Sequence, residues 1–129
     1  MHYVNAHYLL NRGDFIDAER RFTVVTELEP EFARAWAGRG DARLMKGDYE
    51  GALEDYDRAL TLKPDLAEAY ASRGTARLIL GQPAGAQQDA EMALRLDARD
   101  PSAHIVLGRV FARRRDRARA LAEFDTAIL

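Results

Sequence analysis

Apolar residues recur along the chain at helical spacing. Tyr49, Ala52, Leu53, Tyr56, Ala59 and Leu60 fall at i, i+3, i+4, i+7, i+10 and i+11, one stripe of an amphipathic helix. The stretch from Ala33 to Lys46 carries the same period, with Trp36 and Leu44 as its large apolar residues. Gly47 supplies a left-handed residue to end that helix, and Asp48 is placed to cap the next one. Pro64 closes the segment, because the residue before a proline avoids helical backbone. The pattern predicts two antiparallel helices joined by a tight turn. No stretch alternates as a strand does.

This arrangement repeats. Gly40, Gly74 and Gly108 stand 34 residues apart, and Ala18, Ala52, Ala86 and Ala120 follow the same step. So do Gly13, Gly47 and Gly81, then Val25, Ala59, Ala93 and Ala127, and Pro30 with Pro64. The period divides the chain into residues 1–32, 33–66, 67–100 and 101–129, the first and last incomplete, within a single domain. The expectation is an all-α fold of about eight helices in four hairpins. Glycine inside a helix costs about 1 kcal/mol relative to alanine. Keeping it at Gly40, Gly74 and Gly108 implies close packing, with Ala52, Ala86 and Ala120 as the expected small neighbours on the second helices.

Trp36, Gly40, Gly47, Tyr49, Ala52, Tyr56, Ala59 and Pro64 together resemble one complete tetratricopeptide repeat. Tyr70, Gly74, Gly81, Ala86 and Ala93 resemble a second, and the likeness spans essentially the whole chain. The resemblance implies a right-handed α-solenoid whose first helices line a concave, partner-binding groove. Carried over residue by residue, the groove positions are Tyr3 and His7, then Arg34, Ala37, Gly38, Asp41, Leu44 and Met45. They continue through Glu68, Ala71, Thr75, Leu78 and Ile79 to Ile105, Arg109 and Arg113. Small residues here imply room for a partner's side chains, and Gly38 close backbone approach. The alternative is that Leu44, Leu78 and Ile79 pack against neighbouring hairpins. The family's carboxylate-clamp members bind acidic chaperone tails through basic groove residues. In one alignment this chain offers Tyr3, His7, Gly38, Glu68 and Ser72; in the other, Ala37, Asp41, Ser72, Ser102 and Val106. Neither supplies the clamp.

Where the family pattern has leucine and tyrosine, this chain has Arg39 with Arg43, and Arg73 with Arg77. Sixteen residues after Arg39 and Arg73 stand Asp55 and Asp89. Ion pairs Arg39–Asp55 and Arg73–Asp89 are therefore expected to join the two helices of each hairpin, partly exposed and modest in energy. The fourth repeat has Leu107 and Glu123 at these positions, an acid without its arginine.

Composition narrows the chemistry. Nineteen basic and 21 acidic residues leave a net charge of −2, which gives no bulk attraction to nucleic acid or membranes. The balance hides a polarity. Residues 109–129 hold six arginines and three acids, and the remainder holds 13 basic and 18 acidic side chains. Nucleic acid is nonetheless not expected at the Arg113–Arg119 run, since Phe111 alone is nearby for stacking. Arg115 stands where the other turns have glycine, so that turn should be the most strained. No cysteine is present, His2, His7 and His104 lack metal-ligand spacing, and no nucleophilic or phosphate-cradling motif occurs. The reading is a non-enzymatic cytoplasmic scaffold without metal, cofactor or membrane segment, binding a protein or peptide. The alternative is self-association through the open C-terminal face of Leu121, Phe124 and Ile128, the chain ending inside its last helix at Leu129.

Overall fold

The computed structural model describes residues 2–128, and its secondary structure there is entirely helical. The helices are α1 (His2–Arg12), α2 (Phe15–Leu28), α3 (Ala33–Lys46), α4 (Tyr49–Leu62), α5 (Ala67–Ile79), α6 (Pro83–Leu96), α7 (Pro101–Arg113) and α8 (Arg117–Ile128). First helices begin at Ala33, Ala67 and Pro101, one sequence period apart. Two compact units divide between Pro64 and Asp65.

In the first unit α1 packs on α2, α2 on α3 and α3 on α4, with α1 also touching α3. Ala6, Ala18, Phe22 and Ala42 form a buried cluster against which Tyr3, Leu9 and Leu10 pack. Phe22 and Tyr56 are fully buried, each stabilising the unit by about 1.5–3 kcal/mol through removal from water. The second unit repeats the scheme: α5 on α6, α6 on α7, α7 on α8, and α5 on α7. Its core joins Ala71, Leu78, Ala86 and Ala90 to Val106, Leu107 and Val110, flanked by Tyr70, Leu94 and Phe111. Among the described residues α8 packs on α7 and on no other helix.

The turns follow from the residues expected to make them. Gly47 sits at φ +94°, where its N–H donates to the Leu44 carbonyl at 3.1 Å and that of Asp48 to Arg43 at 2.8 Å. These bonds satisfy carbonyls that the helix end would otherwise leave open. The Asp48 carboxylate then accepts from the Gly51 N–H at 3.0 Å, capping α4 as expected.

The helical glycines do sit in close contacts. A Cβ on Gly40 would lie 2.8 Å from the Tyr56 ring and one on Gly108 2.5 Å from the Phe124 ring, so the nearest group at each is an aromatic ring. Gly74 meets its expected neighbour, the Ala86 carbonyl, at 3.3 Å. The rings lie one turn beyond the alanines and overhang the missing side chain. Gly38 is closed by a ring as well: a Cβ there would collide with the ring of Phe22. Alanine at 38 would gain about 1 kcal/mol of helix propensity, against about 1–3 kcal/mol for overpacking a fixed ring. Gly38→Ala is expected to lower the urea and thermal midpoints; an unchanged or raised midpoint contradicts this packing.

Candidate functional site

Each hairpin from the second repeat on is closed by a carboxylate at one register position. Arg39 grips Asp55 with two parallel bonds, Nε to Oδ2 at 3.0 Å and Nη2 to Oδ1 at 2.8 Å. Arg73 does the same to Asp89, with Nη2 to Oδ1 at 2.8 Å and Nε to Oδ2 at 3.1 Å. Both expected pairs are present, but they are not the partly exposed pairs expected. Asp55 and Asp89 are each only 2 % exposed. The arginines lie over them: each guanidinium also covers the aromatic ring three residues before it, Arg39 on Trp36 at 5.0 Å and Arg73 on Tyr70 at 5.5 Å.

A second arginine joins each pair, which the sequence spacing does not suggest. Arg43 Nη1 reaches Asp55 Oδ2 at 3.2 Å, and Arg77 Nη1 reaches Asp89 Oδ2 at 3.0 Å. In the first unit the chain of charges continues to α2, where Glu19 accepts from Arg43 Nε and Lys46 Nζ, both at 2.7 Å. Burial raises the Glu19 carboxyl, but the hydrogen bonds of Lys46 and Arg43 outweigh it and hold the group below its ordinary value. Burial pushes Asp55 up, and Arg39 and Arg43 pull it back without cancelling the shift. Desolvation therefore outweighs attraction at Asp55 and the reverse holds at Glu19, opposing contributions of the kind any buried ion pair carries.

The fourth hairpin keeps the acid and changes the cation. Glu123 lies in register with Asp55 and Asp89, while Leu107 replaces the arginine. The partner is His104, one turn earlier, whose Nδ1 lies 2.6 Å from Glu123 Oε2. Its Nε2 lies 3.1 Å from the Ala98 carbonyl, the counterpart of the 2.9 Å bond from Trp36 Nε1 to Pro30. Both ring nitrogens face acceptors, so the doubly protonated ring satisfies both. Burial lowers its proton affinity, but Glu123, the Ala98 carbonyl and Asp100 more than compensate, and the pKa is raised above 6.5.

The groove positions divide by exposure. Ala37, Gly38, Ala71 and Leu78 are buried, and Ala71 and Leu78 belong to the core of the second unit. Gly38 does not offer open backbone, because the Phe22 ring occupies the space above it. Tyr3 and His7 stack edge to face at 4.5 Å, and His7 meets Phe22 at 5.1 Å. Burial lowers the pKa of His7. Asp41 accepts from the Tyr56 hydroxyl at 2.6 Å, Thr75 donates to the Ala71 carbonyl at 3.2 Å, and Leu44 is half-buried. Arg34, Glu68, Ile105, Arg109 and Arg113 are exposed. So are Met45 and Ile79, at 61 % and 45 %, one repeat apart near the ends of α3 and α5. Among the described residues no group of three or more His, Cys, Asp or Glu side chains could hold a metal. No helix is long and apolar enough to cross a membrane.

Arg39→Ala would leave Asp55 buried with only Arg43 beside it, and is expected to cost about 3 kcal/mol in urea unfolding. Arg20→Ala, which breaks the exposed 3.9 Å contact to Asp17, should change nothing measurable. Equal effects would contradict the buried-pair account. For His104, a raised folded pKa contributes stability that is complete below 6.5 and is lost as pH rises through the folded value. The lowered pKa of His7 acts oppositely, removing stability as pH falls below 6.5. Thermal midpoints should therefore fall on the alkaline side of 6.5, and His104→Phe should abolish that fall. A fall that persists in the variant contradicts the assignment.

The tetratricopeptide repeat family model matches residues 3–67 and 68–128. No curated protein sequence matches the chain. Among solved structures, residues 41 to the end of MamA from Desulfovibrio magneticus RS-1 superpose with a TM-score of 0.84 at 26 % identity, covering 98 % of this chain and 72 % of that one. A thermophilic repeat protein of Thermus thermophilus gives 0.87 at 21 %, over 98 % and 71 %. The second repeat domain of human RPAP3, solved in complex with an HSP70 peptide, gives 0.79 at 28 %, over 84 % and 91 %. The fold class is the all-α tetratricopeptide-repeat solenoid, and the chain belongs to the tetratricopeptide repeat family.

Proposed function

We propose that the chain is a non-enzymatic interaction scaffold that binds a protein or peptide segment through the exposed side chains of its first helices. The observation that carries this reading is the exposure of Met45 and Ile79 at one register position. Large apolar side chains held in water at a repeated place are candidates for burial by a partner. The exposed charges Arg34, Glu68 and Arg109 would set the polarity of that partner, since charge complementarity favours the right partner and orientation. The peptide-bound RPAP3 domain supports the class of ligand. An acidic chaperone tail is disfavoured, because neither clamp alignment provides a basic residue. The buried Ala37, Ala71 and Leu78 would support this surface from beneath rather than touch the partner.

Self-association is the second reading, favoured by Leu121 and Ile128 on α8, which are 63 % and 83 % exposed. Of the expected apolar face, Phe124 turns inward onto Gly108 and these two do not.

Affinity capture of a binding partner, followed by titration of variants, tests the first reading. Met45→Glu and Ile79→Glu should each weaken binding at least about tenfold, and charge reversal at Arg34 or Arg109 should change its salt dependence. Unchanged affinity in all four would remove the reading. Sedimentation across concentrations tests the second, which requires an oligomer that Ile128→Glu dissociates.

A further inference from the structure

Three hairpin turns pass through glycine, at φ +88° for Gly13, +94° for Gly47 and +78° for Gly81. The fourth passes through Arg115 at φ 60°, a conformation that L side chains disfavour. Its hydrogen bonds are those of the other turns: the Arg115 N–H donates to Ala112 at 3.0 Å and that of Asp116 to Phe111 at 2.8 Å. Glycine would make the same turn without strain. The arginine adds only a side chain, and that side chain is exposed.

Arg115 and Arg117 rim a depression of about 480 Å³ between the end of α7 and the start of α8, lined further by Ala112, Ala120 and Leu121. Leu121 is 63 % exposed there. Arg39 and Arg73 of the second and third hairpins are bound to buried acids, and Arg119 leans on Asp116 at 3.4 Å. Arg115 and Arg117 make no ion pair among the described residues. They lie within the stretch that holds six arginines against three acids.

We propose that this depression is a docking site for an acidic protein segment carrying an apolar side chain. Its carboxylates would meet Arg115 and Arg117, and its apolar group would cover Leu121. A guanidinium matches the planar carboxylate with paired donors, and an apolar floor beside it reduces competition from water. Nucleic acid fits less well. Phe111 is half-buried against the core with Arg119 over its ring at 5.6 Å, which leaves no open face for a base. Arg115, Arg117 and Leu121 lie outside the first helices, so either proposal can fail alone.

Fluorescence anisotropy at low ionic strength tests it with three labelled probes. They are a short peptide of glutamates interrupted by leucines, an all-glutamate peptide of equal length, and an oligothymidylate of similar charge. The wild-type chain should bind the leucine-containing peptide most tightly. Arg115→Gly combined with Arg117→Ala should weaken that binding about tenfold. Because glycine relieves the turn, Arg115→Gly alone should leave the thermal midpoint equal or higher, which separates binding from folding. Leu121→Ala should remove the preference for the leucine-containing peptide. No binding of that peptide, unchanged affinity in the double variant, no discrimination between the two peptides, or tighter binding of the oligothymidylate would each overturn the proposal.

Discussion

A carboxylate buried between two helices imposes more on this structure than any apolar contact does. Asp55 and Asp89 are almost completely withdrawn from water, and a charge so placed must be met by donors in fixed positions. The guanidinium fork of Arg39 or Arg73 meets both oxygens at once, so it fixes the separation and the axial register of the two helices together. An apolar seam would tolerate sliding. In the first unit the same acid links, through Arg43, to Glu19 on the preceding hairpin, so one network spans α2, α3 and α4. The contribution to specificity exceeds the contribution to stability, because the cost of desolvating Asp55 is not recovered by the attraction of its arginines.

In the fourth hairpin the acid stays and its partner changes, and the closure changes character with it. Arginine keeps its charge at any ordinary pH, whereas histidine titrates close to neutrality. Glu123 is held by His104, and among the described residues α8 packs on α7 alone. The last hairpin is thus closed by a proton-dependent bond, unlike the two before it. It also carries the only described non-glycine residue with positive φ, Arg115. Strain, titratable closure and the exposed Arg115 and Arg117 gather at one hairpin, where exposed Leu121 and Ile128 also lie.

Most of the fold is legible in the sequence because one period governs it. Gly47 and Asp48 mark a helix end and a cap by their own chemistry, and the interval from Arg39 to Asp55 recurs from Arg73 to Asp89. The rest depends on directions that spacing does not encode. Arg43 reaches Asp55 from one turn along α3, and nothing in a linear chain distinguishes that from a solvated arginine. His104 occupies the register of Trp36 and Tyr70, which conceals its pairing. The usable signal is Glu123 with Leu107 opposite, an acid whose nearest cation one turn back is His104. The candidate surface is the least legible part. Ala37, Ala71 and Leu78 occupy family groove positions but are buried here, whereas Met45, Ile79 and Ile105 are left in water. Gly38 is open in sequence and closed in space because Phe22 lies far from it along the chain but directly over it.

The scaffold reading relies on hairpins rigid enough to hold side chains for a partner, and that rigidity is assigned to the buried ion pairs. A double-mutant cycle on Arg73→Met and Asp89→Leu, followed by urea unfolding, tests this most directly. The account predicts single losses that do not add, with a coupling energy above about 1 kcal/mol, because removing Asp89 leaves Arg73 without its acid and removing Arg73 leaves the buried Asp89 with Arg77 alone. Losses that add within about 0.5 kcal/mol would mean that the pair does not lock the hairpin, and would contradict the account.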